Sequence, residues 1–159
     1  MIDSTLTIHV DAPPERVFAL VADVEQWPRH LPHYRWVRRL RAEGARRTLE
    51  MAAWRGLPGL RGRGYPVRWT AVVEPDPAAK VLRFTHIGGP TTGMAVEWRI
   101  SADGHGAWVT LRHRFRARLP LLAPLYEWVV EHMFIEHIAG RTLRAFKRLA
   151  EAAGAEGGP

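Results

Sequence analysis

The chain contains no cysteine, which excludes disulfides, thiolate nucleophiles and zinc–cysteine sites. Asparagine is absent as well, and Gln26 is the one glutamine. A shortage of thermolabile amides is a composition met in thermophilic proteins. Serine occurs only as Ser4 and Ser101. Neither stands at a glycine-flanked nucleophile turn, so no serine–histidine–acid set is present. There is no phosphate-binding glycine loop, and no cofactor and no metal are expected. No apolar run approaches the roughly 18 residues of a membrane-crossing helix. The first residues, "MIDSTLTIHVDAPPE", lack a basic region followed by an apolar stretch, so no secretory leader is expected there. A cytoplasmic location is therefore expected. Lysine is nearly missing too: of 23 basic residues all but Lys80 and Lys147 are arginine, and the net charge is +7. That charge fits nucleic acid, an anionic lipid surface, or a codon bias that also enriches alanine, glycine and proline.

What remains is ordinary globular material. The 159 residues are 47% apolar and 25% charged, which suits one domain with its own core. A single domain over 1–153 and a flexible tail over 154–159 are expected. "TLTIHV" sets Leu6, Ile8 and Val10 against Thr5, Thr7 and His9, the alternation of a half-buried strand. Asp11 is placed to cap a helix beginning just after it, and Pro13 and Pro14 suit a first helical turn. Val17, Phe18, Leu20, Val21 and Val24 then predict a short helix from about 14 to 23. The next stretch, "DVEQWPRHLPHY", carries two prolines that limit it to a single turn and a loop.

From Tyr34 to Phe115 short period-2 runs alternate with turn residues, which predicts six antiparallel strands in meander order. Leu49, Met51 and Ala53 mark one apolar face. It continues through Val67, Trp69 and Ala71, then Met94, Val96, Trp98 and Ile100, then Val109, Leu111 and Phe115. From Pro120 to about Ala153 the period becomes helical, with Leu122, Leu125, Val129, Met133, Ile138, Leu143, Phe146 and Leu149 along one stripe. These elements predict an α+β architecture: a seven-stranded antiparallel sheet curled around one long C-terminal helix, with two short helices after the first strand. Such a sheet leaves a space between itself and the helix.

Four stretches, "DAPPERVFALVADVEQWPRHLPHY", "WTAVVEPDP", "GGPTTGMAVEW" and "AGRTLRAFKRLAE", resemble the START/Bet v 1-like superfamily. Within it the chain looks like the polyketide cyclase/dehydrase branch, which includes coenzyme-Q-binding relatives. The resemblance implies a helix-grip fold. It also implies that Trp27, Pro28, Leu31 and Tyr34 stand at a pocket mouth, with Trp69 and Trp98 as pocket tryptophans. The aromatase/cyclase members place arginines inside the pocket; ungapped matching puts Val73 and Thr85 at those positions. The superfamily hosts carriers, enzymes and regulators on one scaffold.

His113 shares a strand face with Val109, Leu111 and Phe115. It reads either as a general base or as a core histidine bonded to a neighbour; His86, alternating with Leu82 and Phe84, is similar. Tyr34 reads as an acid or a wall aromatic. Seven tryptophans in one domain suit either rigid pocket walls or a packed core. His132 and His137, five apart on an α-helix, cannot share a metal; His132 and Glu136 sit on an ordinary amphipathic face. "WRGLPGLRGRG", 54–64, sets apolar residues among arginines, as a lid, a membrane contact or a solvated loop.

The expected function is binding or transport of a hydrophobic small molecule, polyketide-, quinone- or lipid-like. The expected lining is Trp27, Leu31, Tyr34, Met51, Trp69, Phe84, Met94, Trp98, Leu111, His113, Val129 and Met133. The alternatives are an aromatase/cyclase or dehydratase using Tyr34 and His113, and a ribosome- or RNA-associated regulator suggested by the positive charge. The protein is expected to be a monomer or a homodimer.

Overall fold

The structure, a computed structural model, describes residues 1–56, 64–117 and 123–155, and within these the side chains of all but 55–56, 64–65, 123, 133–134, 136–137 and 153–155. Strand β1 (Ile2–Val10) is followed by helix α1 (Pro14–Ala22), a 3₁₀ turn (Val24–Gln26) and helix α2 (Trp27–His30). Six strands come next: β2 (Tyr34–Glu43), β3 (Arg46–Gly56), β4 (Gly64–Asp76), β5 (Val81–Gly88), β6 (Ala95–Ala102) and β7 (Ala107–Phe115). The strands form one antiparallel sheet in the order β1-β7-β6-β5-β4-β3-β2, so β1 and β2 are its two edges. Along the inner face Met51 stands opposite Trp69, Trp98 is flanked by Leu82 and Leu111, and Ile100 faces Val109. This alternation makes one side of the sheet apolar, as the sequence predicts.

The C-terminal layer departs from a single α-helix. Helix α3 (Ala123–Val130) runs into nine residues of π-helix (Glu131–Ala139) before α4 (Gly140–Ala155) begins. Each π turn closes i→i+5 rather than i→i+4 and takes up an extra residue. An α-period stripe read across it therefore loses phase. Ile138, Leu143 and Phe146 are buried as expected, but Leu125 is 62% exposed, and at the end of α3 it is Val130, not Val129, that is buried. The angular separation of His132 from His137 likewise presumes α geometry, which this segment lacks; His137 and Glu136 have side chains outside the described set.

Three polar ties hold the helical layer against the sheet. Arg47 of β3 reaches the Glu25 carboxylate (3.1 Å) and donates to the Ala22 carbonyl at the end of α1 (2.9 Å), while Arg39 of β2 approaches the other Glu25 oxygen at 3.3 Å. Lys147 of α4 donates to the His9 carbonyl (2.8 Å) and to Glu151. Asp11 does not cap α1, contrary to the sequence expectation. Pro13 is the N-cap, without a side-chain hydrogen bond, and the Asp11 backbone N–H donates to Glu151 at 3.0 Å. The proline at N1 lacks the N–H that a cap would satisfy. At the end of β5, Gly89 has φ +89°, and a Cβ there would lie 2.5 Å from the Arg68 carbonyl oxygen, so only glycine lets the β5–β6 turn close on β4.

Trp27 occupies the centre. Its indole N–H donates to the Val21 carbonyl (3.1 Å), and its ring meets Tyr34, Phe84, Trp98 and Phe146 at centroid distances of 5.3, 5.7, 5.9 and 5.5 Å. Sequence reasoning sets Trp27 and Tyr34 at a rim; both are buried. Trp27 and Pro28 form the first two positions of the four-residue helix α2, and the tryptophan ring faces inward instead. Replacing Trp27 with alanine is expected to cost about 3–5 kcal/mol of folding stability, from lost burial and the cavity left behind; denaturant titration of Trp27→Ala against wild type measures it.

Candidate functional site

Between the inner face of the sheet and the π-helical segment lies a cavity of about 60 Å³. The sheet contributes Tyr34 (β2), Met51 (β3), Trp69 (β4), Phe84 and His86 (β5), Met94 just before β6, Val96 and Trp98 (β6), and Leu111 and His113 (β7). The helical layer closes it with Trp27, Ile135, Ile138, Ala139 and Thr142. The cavity therefore brings together Trp27, Tyr34, Met51, Trp69, Phe84, Met94, Trp98, Leu111 and His113 from the expected set. Leu31 is fully buried but packs in the core behind the lining, its backbone N–H bonded to the Trp27 carbonyl (2.8 Å) as α2 ends. Val129 does not line the cavity, because the π turns carry α3 out of the assumed phase. The Met133 side chain lies outside the described residues.

His86 and His113 form the polar part of the sheet wall. His86 Nδ1 is 2.6 Å from the Thr91 hydroxyl, and its ring stacks against Trp69 at 6.1 Å. His113 Nδ1 is covered and has no hydrogen-bond partner. Burial disfavours the imidazolium of both. It holds His113 down to about 4, and burial together with the neighbouring His113 holds His86 down to about 3. Both rings are therefore neutral at pH 7. Burial pushes the Tyr34 phenol up, against a smaller opposing effect from the Thr142 hydroxyl. His33, held at about 4 by burial and then by Arg141, lies 2.8 Å from the same Thr142 hydroxyl.

No lysine or arginine is among the described residues that line the cavity. Val73 is buried in the core without lining it, and Thr85 points outward from β5 and is exposed. The inward positions of that strand are Leu82, Phe84 and His86, so the ungapped match lands one residue off the face that matters. Sequence reasoning leaves His86, Val96, Ile135, Ile138, Ala139 and Thr142 out of the site. The readable signals are the alternation of His86 with Phe84 and a threonine inside the apolar face of α4. Of the π-segment contributors Ile138 lies on the α-period stripe, whereas Ile135 and Ala139 fall off it and carry no signal.

Other expectations lie elsewhere. Trp36, Trp54, Trp108 and Trp128 are not buried; Arg35 covers Trp54 at 4.8 Å and Arg38 covers Trp36 at 4.9 Å. His132 is exposed and stacks on Trp128 at 4.8 Å. Among the described residues no group of three or more metal-ligating side chains comes together, and no helix is long and apolar enough to cross a membrane. Most of the 54–64 loop is outside the described residues.

A seven-stranded antiparallel sheet gripping a C-terminal helix over an aromatic cavity defines the START/Bet v 1-like class. The structure superposes on the Zhui aromatase/cyclase of a Streptomyces species with TM-score 0.79, 21% identity and 99% of each chain covered. On a START superfamily protein of Mycobacterium smegmatis the TM-score is 0.70, at 16% identity, covering 95% of this chain and 98% of that one. Residues 1–154 match the family described as polyketide cyclase/dehydrase and lipid transport, and the chain belongs to it. A curated relative is the granaticin polyketide synthase bifunctional cyclase/dehydratase of Streptomyces violaceoruber, 36% identical over 113 residues. The match covers 69% of this chain and 32% of that longer protein.

The lowered histidines set a pH dependence. Their folded pKa values lie below the unfolded value of about 6.5, so the unfolded chain takes up protons first as pH falls. Their contribution is complete above about pH 7 and is lost as pH falls from about 6.5 toward 4. The carboxylates lowered by arginine and lysine partners act only below about pH 4.5. Urea unfolding between pH 7 and 5 is expected to show a stability loss of about 1 kcal/mol per pH unit for each of His86 and His113, with a smaller addition from the part-exposed His33. The double variant His86→Gln, His113→Gln should remove most of that slope.

Proposed function

We propose that this chain takes a planar, apolar, neutral small molecule of the aromatic polyketide type into the space between sheet and C-terminal helical layer. The observation that carries the reading is an aromatic and methionine wall interrupted only by neutral hydrogen-bonding groups: Tyr34, His86, His113 and Thr142. Flat rings stack on Trp27, Trp69 and Trp98, and the thioethers of Met51 and Met94 fill irregular gaps. A free space of about 60 Å³ holds a few waters but no ring system, so uptake is coupled to separation of the helical layer from the sheet. Titration with a hydroxyanthraquinone, followed by ¹³C-methyl methionine NMR, tests this. The Met51 and Met94 methyls are expected to shift by ring current while Met1, which is exposed, stays put; the absence of such shifts rejects the reading.

A second reading is cyclisation or dehydration of a bound poly-β-ketone, supported by the family and by the cyclase/dehydratase relative. Here the neutral His113 takes a proton from the carbon between two carbonyls; the enolate carbon attacks a further carbonyl, and the imidazolium returns the proton to the alkoxide so formed, while dehydration repeats the proton removal beside that hydroxyl and returns the proton to the departing hydroxide as water. An imidazole kept unprotonated at pH 7 suits the base; a phenol kept protonated, as Tyr34 is, suits hydrogen bonding to the developing oxyanion rather than proton removal. Single-turnover assays with a poly-β-ketone thioester are expected to show a 10²–10⁴-fold rate loss, on the order of general-base catalysis, in His113→Ala. Binding by that variant should persist. Turnover unaffected by the substitution, or absent in wild type, removes this second reading.

A further inference from the structure

Two imidazoles border the cavity, His86 on β5 and His113 on β7, and no carboxylate is among the described residues that line it. A charged ring there would lack a counter-ion, so both are neutral, and each carries one proton on one of its two nitrogens. Hydrogen-bond accounting decides which nitrogen. The Thr91 hydroxyl is fully buried, and among the described residues its one partner is His86 Nδ1, at 2.6 Å. If Nδ1 held the proton, the hydroxyl would accept it and its own O–H would be left without an acceptor. Buried donors without a partner are rarer in proteins than acceptors with a spare lone pair. Thr91 therefore donates, Nδ1 accepts, and His86 carries its proton on Nε2. His113 Nδ1 is covered and has no partner. By the same accounting that atom holds the lone pair, and His113 too is protonated on Nε2.

Both protons open on one space. Among the described residues, the covered side-chain nitrogens without a partner are His113 Nδ1 and Trp36 Nε1. The Nε2 atoms of His86 and His113 have no partner either but are not covered, and the space that both rings border is the cavity of about 60 Å³. The Thr142 hydroxyl adds no donor there, since its proton goes to the Ile138 carbonyl oxygen at 2.8 Å. We propose that His86 and His113 are specificity-determining residues, two N–H donors offered to a carbonyl oxygen of the ligand, ketone or quinone, with Thr91 fixing the donor end of His86. The proposal rests on the reading that the cavity takes up an aromatic molecule, and it adds which group of that molecule the sheet wall binds. It gives His113 a part other than the base of the second reading, because a ring with its lone pair at the covered Nδ1 has none to offer at Nε2. A carbonyl oxygen takes up the donors; a hydrocarbon of the same shape leaves them unpaired in a desolvated site.

Acetophenone and α-methylstyrene differ by oxygen against CH₂ at one position and form the probe pair, each titrated at pH 7 with the Met51 and Met94 methyl signals as readout. Comparing their affinity ratio between proteins cancels the difference in their hydration. The acetophenone-to-α-methylstyrene ratio is expected to fall about five- to tenfold from wild type to His86→Phe, and likewise to His113→Phe, the size of one hydrogen bond. α-Methylstyrene alone reports whether each variant still admits a ring. Two measurements need no variant to fold. Ring ¹⁵N shifts should show the Nε2–H tautomer at both histidines of wild type, and the carbonyl stretch of bound acetophenone should lie below its value in hexane. An unchanged ratio in either variant that still admits the ring, an Nδ1–H tautomer at either histidine, or a carbonyl stretch at the hexane value overturns the proposal and leaves cavity uptake standing. Failure of both probes to shift either methionine of wild type overturns both.

Discussion

The arrangement depends on the seating of Trp27. Its side chain touches α1, the inner strands and α4 together, through an indole N–H to Val21 and ring contacts to Tyr34, Phe84, Trp98 and Phe146. An indole buried at that junction must keep its N–H bonded, and the Val21 carbonyl at the end of α1 does this at fixed distance. The angle at which α1 meets α2 thus also sets where the ring enters the sheet. The cavity begins where this cluster stops filling the space. Arg47 and Glu25 secure the same junction from the other side, with one guanidinium bridging a carboxylate and the terminal carbonyl of α1.

The chemistry of the cavity is set by its surroundings. In water the two imidazoles of His86 and His113 would each be partly charged near neutrality. Adjacent to one another and to Trp69, Met94 and Val96, they cannot be. A buried cation would demand an anion from the ligand; neutral rings ask only for hydrogen-bond complementarity. The lining is accordingly neutral, and the net charge of +7 is displayed on outward-facing arginines such as Arg38, Arg83 and Arg99.

Most of the fold was legible because each strand repeats a simple rule. Leu49, Met51 and Ala53, or Val109, Leu111 and His113, alternate without interruption, and alternation by itself assigns the inner face. The sheet half of the site could be read for the same reason. The helical half could not. Its lining residues Ile135 and Ala139 belong to π-helix and fall off the α stripe that reached Ile138, and assuming an α period placed Val129 and Leu125 on the wrong side. Leu31 was placed by the family resemblance, which sets an apolar residue at the pocket mouth; here the end of α2 turns it into the core behind Trp27 and Tyr34. Thr142 was passed over because a single threonine reads as helix-surface polarity until its His33 partner, more than a hundred residues earlier in the chain, comes into view.

The strand order has a mechanical side. β1 and β2 are the two edges and do not pair with each other, so the sheet is a curled ribbon and not a closed barrel. In a closed barrel radius is fixed by strand number and stagger, and widening it means breaking ladder hydrogen bonds. An open ribbon relaxes its curl by small changes of twist spread over its ladders, keeping every rung intact. The small interior is therefore backed by a compliant wall: its volume is a resting value of an elastic element, and on the proposed reading part of the room for a guest comes from bending the sheet instead of from breaking backbone pairing.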